Sequence, residues 1–169
     1  VAKLMGNAPV ITSSGKSYDV CPYYLSKPWK FNKTFKNDFI QAISGLIIKA
    51  FEENEGSILA FLPGVREIKQ VQTFLKTKLA SDLDIYPLYG AMSFDEQQKA
   101  ISPSCRRKLI LATSIAETSL TIKDIRIVID SGLTRRSRFD PSSGMSRLIT
   151  ERVTKAEATQ RLGRAGRTN

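Results

Sequence analysis

Apolar residues along this chain follow two kinds of order: short continuous runs, and longer segments in which they recur every three or four positions. The short runs are SILAFL (57–62), IYPLY (85–89), KLILAT (108–113) and IRIVI (125–129). SILAFL, KLILAT and IRIVI mark buried strands, and IYPLY marks a strand ending at Gly90. Between them the period is helical. Asn37 offers an N-cap for a helix to about position 54, with Phe39, Ile43, Leu46, Ile47, Ala50 and Phe51 on one face. After Pro63-Gly64, a second helix carries Val65, Ile68, Val71, Leu75 and Leu79 on its inner stripe. Ser93 and Glu96 form a capping box for a third helix, which runs to about Ile101. Strands alternating with helices predict an α/β fold, a parallel sheet with helices on both faces. Ligands of such sheets bind beyond the carboxyl ends of the strands. Chemistry is therefore expected in segments 63–66, 90–93, 113–121, 130–135 and 160–167.

The two ends of the chain break this rhythm. Residues 8–24 read as extended, two short strands around the turn Ser13-Ser14-Gly15-Lys16, and 26–36 reads as a linker. The chain thus divides into N-terminal strands and linker over 1–36 and an α/β domain over 37–169. After Asp130, residues 138–139 and 146–149 flank the turn-rich centre 140–144, which suits an inserted antiparallel β-hairpin. Thr154 and Glu157 make a second capping box, opening a helix that carries Gln160 and Arg161 and is broken by Gly163 and Gly166.

Composition then narrows the function. The chain has 169 residues, no histidine and two cysteines, Cys21 and Cys105. His-based triads, HExxH metal sites, an all-cysteine zinc site and a disulfide framework are excluded. No apolar run approaches membrane-spanning length and no secretory signal is visible, so a cytoplasmic protein without a membrane partner is expected. The net charge is +10, unevenly distributed. Residues 1–105 carry 12 Lys/Arg against 10 Asp/Glu, whereas 106–169 carry 14 against 6. A basic field of this kind attracts polyanions, and phosphate fits better than lipid because no basic amphipathic helix presents aromatics. The alternative is a solvated basic surface.

Two phosphate-like motifs fail on inspection. Gly15-Lys16-Ser17 lacks the preceding glycine and the following helix of a P-loop, and Asp95-Glu96 opens a helix where a Mg²⁺-binding carboxylate would end a strand. Two other segments hold up. In QRLGRAGR (160–167), Arg164 and Arg167 stand three apart among glycines that admit close approach. Guanidinium groups there can fork onto a γ-phosphate shared with a partner domain, or simply form a solvated cluster. In ATSIAETSLTI (112–122), small hydroxyl residues follow a strand end and can bond phosphate or sugar, or merely cap a turn.

These two segments, in this order, resemble motifs V and VI of superfamily 2 helicases, and the spelling IAETSLTI with QRLGRAGR resembles the DEAH-box branch. FLPGVREI, PLYGAMS, QQKAISP and RFDPSSGMSRLIT extend the likeness to bacterial HrpB-type members over roughly residues 8–169. The resemblance implies a RecA-like (P-loop NTPase-like) second motor domain of a longer ATP-dependent helicase, by itself inactive. It implies that Gln160, Arg164 and Arg167 face the γ-phosphate, with ATP and Mg²⁺ held mainly by a first RecA-like domain. By the same likeness Ser119, Thr121 and Asp124 lie at the nucleotide. Gly64, Val65, Arg66, Thr113 and Ser114 grip single-stranded RNA or DNA, and the hairpin helps part or restrain strands. Three positions depart from the pattern. Ser114 replaces an Asn and shortens one backbone contact. Lys123 stands where an acid is usual, which weakens the ribose contact, and Ile101 replaces a stacking Phe, which relaxes nucleotide choice. A non-catalytic nucleic-acid-binding module of the same fold and a duplex-DNA translocase domain remain the alternatives.

Overall fold

The computed structural model describes residues 2–10, 18–26, 35–79, 83–117, 120 and 122–167, with side chains of the first helix from Asp38 onward. A parallel sheet is built from β1 (Ser57–Phe61), β2 (Asp84–Leu88), β3 (Lys108–Ala112) and β4 (Ile125–Asp130), in the order β2-β3-β1-β4. Helices α1 (Phe35–Glu53) and α2 (Val65–Leu79) cover one face, and α3 (Phe94–Ile101) packs on the other. A separate hairpin, β5 (Leu133–Asp140) with β6 (Met145–Arg152), leads into α4 (Lys155–Leu162). The expected α/β architecture, RecA-like with an inserted hairpin, is the one observed.

The strand period explains the layering. In β1 and β3 every residue is buried. Ile58, Ala60, Leu109 and Leu111 point toward the α1/α2 side, while Leu59, Phe61, Ile110 and Ala112 point to the α3 side. Both faces are apolar because both are covered, which is why these strands read as continuous runs and not as alternation. Each fully buried Ile or Leu here contributes about 1.5–3 kcal/mol. Pro87 fits because β2 is an edge strand, paired only with β3. Its missing N–H costs no ladder bond on the open side.

Two basic residues close the amino end of the sheet. Arg107 donates to the carbonyls of Gly56 (3.0 Å), Phe51 (3.0 Å) and Asn54 (2.7 Å), and its guanidinium lies 4.1 Å from the Phe51 ring centroid. It thereby satisfies carbonyls that the end of α1 leaves unpaired. Lys108 does the same for α3, donating to Lys99, Ala100 and Ser102 carbonyls, and burial pushes its pKa below the usual lysine value. Part of the basic excess is thus internal helix capping.

Several boundaries differ from the pattern-based reading. The first helix begins at Phe35, so Asn37 lies inside it and is not the N-cap. The four-residue spacing of Phe35, Phe39 and Ile43 already continues the apolar stripe one turn back. No strand forms among the described residues of 8–24, and the turn at 13–16 lies outside them. Residues 18–20 are anchored by a bond to a loop instead of a ladder. The hairpin strands extend well beyond 138–139 and 146–149, because charged pairs across the strands replace the apolar alternation that pattern reading looks for. Helix α4 ends at Leu162 before Gly163 as expected, but Gly166 lies within a 3₁₀ turn, Ala165–Arg167, instead of breaking structure.

Among the described residues, Ser44 Oγ in α1 is fully buried with no hydrogen-bond partner. A stranded hydroxyl carries its desolvation cost with nothing to offset it. Ser44→Ala is expected to stabilise the fold by about 1 kcal/mol and raise the melting midpoint by about 2–4 °C. A calorimetric melt of both variants checks this, and a lower midpoint for the alanine variant refutes it.

Candidate nucleotide and nucleic-acid interface

Parallel strands put all four carboxyl ends on one edge, and backbone bonds there stitch the following loops together. Leu62 N donates to the Ala112 carbonyl (2.8 Å), Thr113 N to Leu88 (3.1 Å), and Ser131 N to Phe61 (3.2 Å). The loops after β1 and β3 are therefore neighbours, and Gly64–Arg66 and Thr113–Ser114 share one edge as expected. Arg66 and Ser114 are exposed, while Val65 and Thr113 are half-buried. Gly64 is covered: a Cβ there would sit 2.5 Å from Arg135 Nη1. Glu67 holds that arginine at 3.1 and 3.3 Å. The cover comes from the hairpin, which lays the end of the Arg135 side chain across the loop. Gly64 itself presents no open surface.

Beside β4 lies a cluster built on α4. The capping box closes as anticipated, with Glu157 N donating to Thr154 Oγ1 (3.3 Å) and Thr154 N to Glu157 Oε2 (2.7 Å). The fixed helix delivers Arg161 into the interior, 1% exposed. Its Nε and Nη2 donate to Glu117 Oε1 at 2.8 and 2.6 Å, and Nη1 to Asp130 Oδ1 at 2.6 Å and the Leu133 carbonyl at 3.3 Å. The guanidinium also lies 4.8 Å from the Phe61 ring centroid. Arg161, Glu117 and Asp130 were not among the expected site residues. A signal was available: Glu117 sits in a stretch of small and apolar residues and is buried, and a buried carboxylate requires a nearby cation, while Asp130 ends the apolar run of β4.

Arg164 is next, 4% exposed. Its Nε donates to the Glu117 carbonyl (3.2 Å) and Nη1 to the Leu120 carbonyl (2.5 Å), so the 160–167 segment grips the segment after β3 through backbone oxygens. Its Nη2 is buried and has no hydrogen-bond partner among the described residues. Burial, with Arg167 nearby, lowers its pKa from the usual guanidinium value. Arg167 and Gln160 are exposed and have no hydrogen-bond or ion-pair partner among the described residues. The arginine set thus comprises one group aimed by fixed carbonyls with a spare donor and one group that is free.

Asp124 stands elsewhere. It adopts a left-handed backbone (φ 63°), and its carbonyl accepts from Ser57 N (3.2 Å) at the amino end of β4. The length of β4 separates it from Asp130 by roughly 20 Å, so it is not brought to the arginine cluster. Ser119 and Thr121 lie outside the described residues. The hairpin arginines, read from sequence as part of a basic field, are largely paired. Arg136 meets Glu157 (2.5 Å) and Glu151 (3.3 Å), and Arg138 meets Glu151 (3.0 Å). Among the described residues no group of three or more His, Cys, Asp or Glu is arranged to hold a metal ion.

The sequence model of the helicase conserved C-terminal domain matches residues 38–169. The chain is 46% identical over 167 residues to the ATP-dependent RNA helicase HrpB of Escherichia coli K12, covering 98% of this chain and 20% of that protein. It is 37% identical over 161 residues to the ATP-dependent RNA helicase HrpA of the same organism, covering 95% and 12%. The crystal structure of the Escherichia coli DEAH/RHA helicase HrpB superposes with a TM-score of 0.82 at 45% identity, over 98% of this chain and 21% of that one. The chain therefore spans about a fifth or less of the length of these relatives.

Glu157 provides a pH test of how α4 is held. The Thr154 backbone N–H, then the Thr154 hydroxyl and Arg136, hold its pKa down to about 2 from 4.5. A depressed carboxylate stabilises the fold above its unfolded pKa, and the contribution fades as pH falls toward the folded value. Glu157→Gln is expected to lower the melting midpoint at pH 7, the gap to wild type closing between about pH 4.5 and 2. Melts across this range check it, and a gap independent of pH refutes it.

Proposed function

We propose that this chain, which belongs to the helicase conserved C-terminal domain family, is the second motor domain of an ATP-dependent nucleic-acid helicase. The observation that carries the reading is the spare donor of Arg164. A guanidinium nitrogen buried without a partner costs about 1–3 kcal/mol or more, a cost offset when an anion reaches it. Phosphate oxygens match that fork. Nucleoside triphosphate binds between this domain and a first RecA-like domain, where Arg164 and Arg167 meet the γ-phosphate and Gln160 borders it. Charge that develops on the transferring phosphoryl group is then met by guanidinium groups, an effect worth about 10³–10⁵ in rate. Mg²⁺ would be held mainly by the first domain and would supply charge neutralisation at the phosphates. The fit on this side rests on the arginines, since no metal-binding acidic cluster lies among the described residues.

The nucleic acid lies along the loops 65–66 and 113–114 and is held by its backbone, so binding is largely independent of sequence and sensitive to salt. Neighbouring strand ends carry these loops. The hairpin, clasped to the same edge through Arg135 and Glu67, restrains the strand. Relatives that are named RNA helicases make RNA the favoured substrate.

In the complete protein, Arg164→Ala and Arg167→Ala are each expected to lower nucleic-acid-stimulated kcat by about 10³-fold with little change in ATP affinity. Steady-state ATPase assays with and without single-stranded RNA or DNA check this, and unchanged turnover removes the arginine assignment. Stimulation by RNA and not DNA identifies RNA as the substrate. Thr113→Val is expected to weaken single-strand binding while basal ATPase is kept. Anisotropy titration of a labelled strand reads the affinity, and full binding with lost hydrolysis reverses the role given to that residue.

A further inference from the structure

The two arginines of the proposed catalytic pair are positioned by different means. Arg164 is aimed by its own side-chain bonds to the Glu117 and Leu120 carbonyls. Arg167 has no such partner among the described residues, so its placement depends on the backbone of the 3₁₀ turn Ala165–Arg167. A segment distant in sequence holds that turn. Tyr18 N donates to the Gly166 carbonyl at 3.0 Å. Gly166 is buried under this segment, and a Cβ there would lie 2.6 Å from the Tyr18 carbonyl oxygen and 3.1 Å from Val20 Cγ2. The first distance is closer than a real Cβ tolerates, and the obstacle is backbone, which cannot swing aside as a side-chain end can. The turn also packs against β4 on its inner side. It is therefore held between the sheet and residues 18–20.

We propose that residues 18–20 form a strap that sets the position of Arg167, a positioning element for phosphoryl transfer distinct from the arginines themselves. The inference rests on the arginine reading above. The strap lies upstream of the region 38–169 that matches the helicase domain. Gly166 is required because only a residue without a side chain lets the strap close on the turn.

The test uses the complete protein and single-turnover ATP hydrolysis with saturating single-stranded RNA. Tyr18→Pro removes the N–H donor, Gly166→Ala displaces the strap, and Val20→Ala trims it with the backbone intact. Tyr18→Pro and Gly166→Ala are expected to slow hydrolysis by about tenfold to a hundredfold, and Val20→Ala by about two- to fivefold, with ATP KM and RNA affinity held within about twofold. In an Arg167→Ala background the strap substitutions are expected to cause no further loss, because the group they position is gone. Wild-type rates in the strap variants, with Arg167→Ala impaired, overturn the strap. Losses that persist in full in the Arg167→Ala background also overturn it, since the segment then acts elsewhere. A wild-type rate for Arg167→Ala itself overturns the arginine reading instead. If Tyr18→Pro and Gly166→Ala melt below the assay temperature, Val20→Ala decides: a normal rate in that variant overturns the strap.

Discussion

The arrangement of the site depends on one buried guanidinium. Arg161 joins the turn after β3 through Glu117, the end of β4 through Asp130, and the base of the hairpin through the Leu133 carbonyl. A charge this deep in the protein is tolerable only when its donors are met. Removing one partner of such a group typically costs about 3–5 kcal/mol, whereas replacing the whole set by apolar residues is often neutral. The network is therefore better understood as registration than as net stability. It allows one relative placement of α4, the sheet edge and the hairpin, and Arg164 takes its position from that placement.

Arg164 follows directly. With Arg161 locked one turn earlier, the end of α4 brings Arg164 over the carbonyls of Glu117 and Leu120, where two of its nitrogens are used and the third is left spare. The same glutamate thus serves both arginines, by side chain to one and by backbone to the other. A shift of the 114–117 turn would move both together. Such sharing links the segment that faces nucleotide to the loop beginning at Thr113, which faces nucleic acid in the proposed reading.

Net charge was a poorer guide than its pairing. The last 64 residues hold most of the excess, yet Arg107 and Lys108 close helix ends, Arg161 is internal, and Arg135, Arg136 and Arg138 are bound to carboxylates. What remains to act on a polyanion is a smaller set that includes Arg66 and Arg167. Glu67, Glu151 and Glu157 neutralise the hairpin side chains nearest the sheet edge, so the hairpin grips the domain by charge and leaves Phe139, Met145, Leu148 and Ile149 exposed.

The central strands were legible because a strand buried on both faces reads as a nearly continuous apolar run, as ILAFL (58–62) and LILA (109–112) do. The two capping boxes were legible because their chemistry is confined to four consecutive residues, and both form. The arginine motif and the strand-end loops were legible for the same reason: local spelling carries them. The hairpin's length was not, since its strands are stabilised by pairs such as Arg138 with Glu151, which no alternation announces. Nor were the Glu117–Arg161–Asp130 set, the cover that Arg135 places over Gly64, or the bond from Tyr18 to Gly166. These join residues that lie tens of positions or more apart in the chain. Sequence by itself determined the strands of the parallel sheet, the helices between them and the two capping boxes, because those depend on neighbours within a few positions. Tertiary structure decided which charges are paired, which glycines are covered and which arginine keeps a free donor, because burial and Coulomb interaction act through space without regard to chain order.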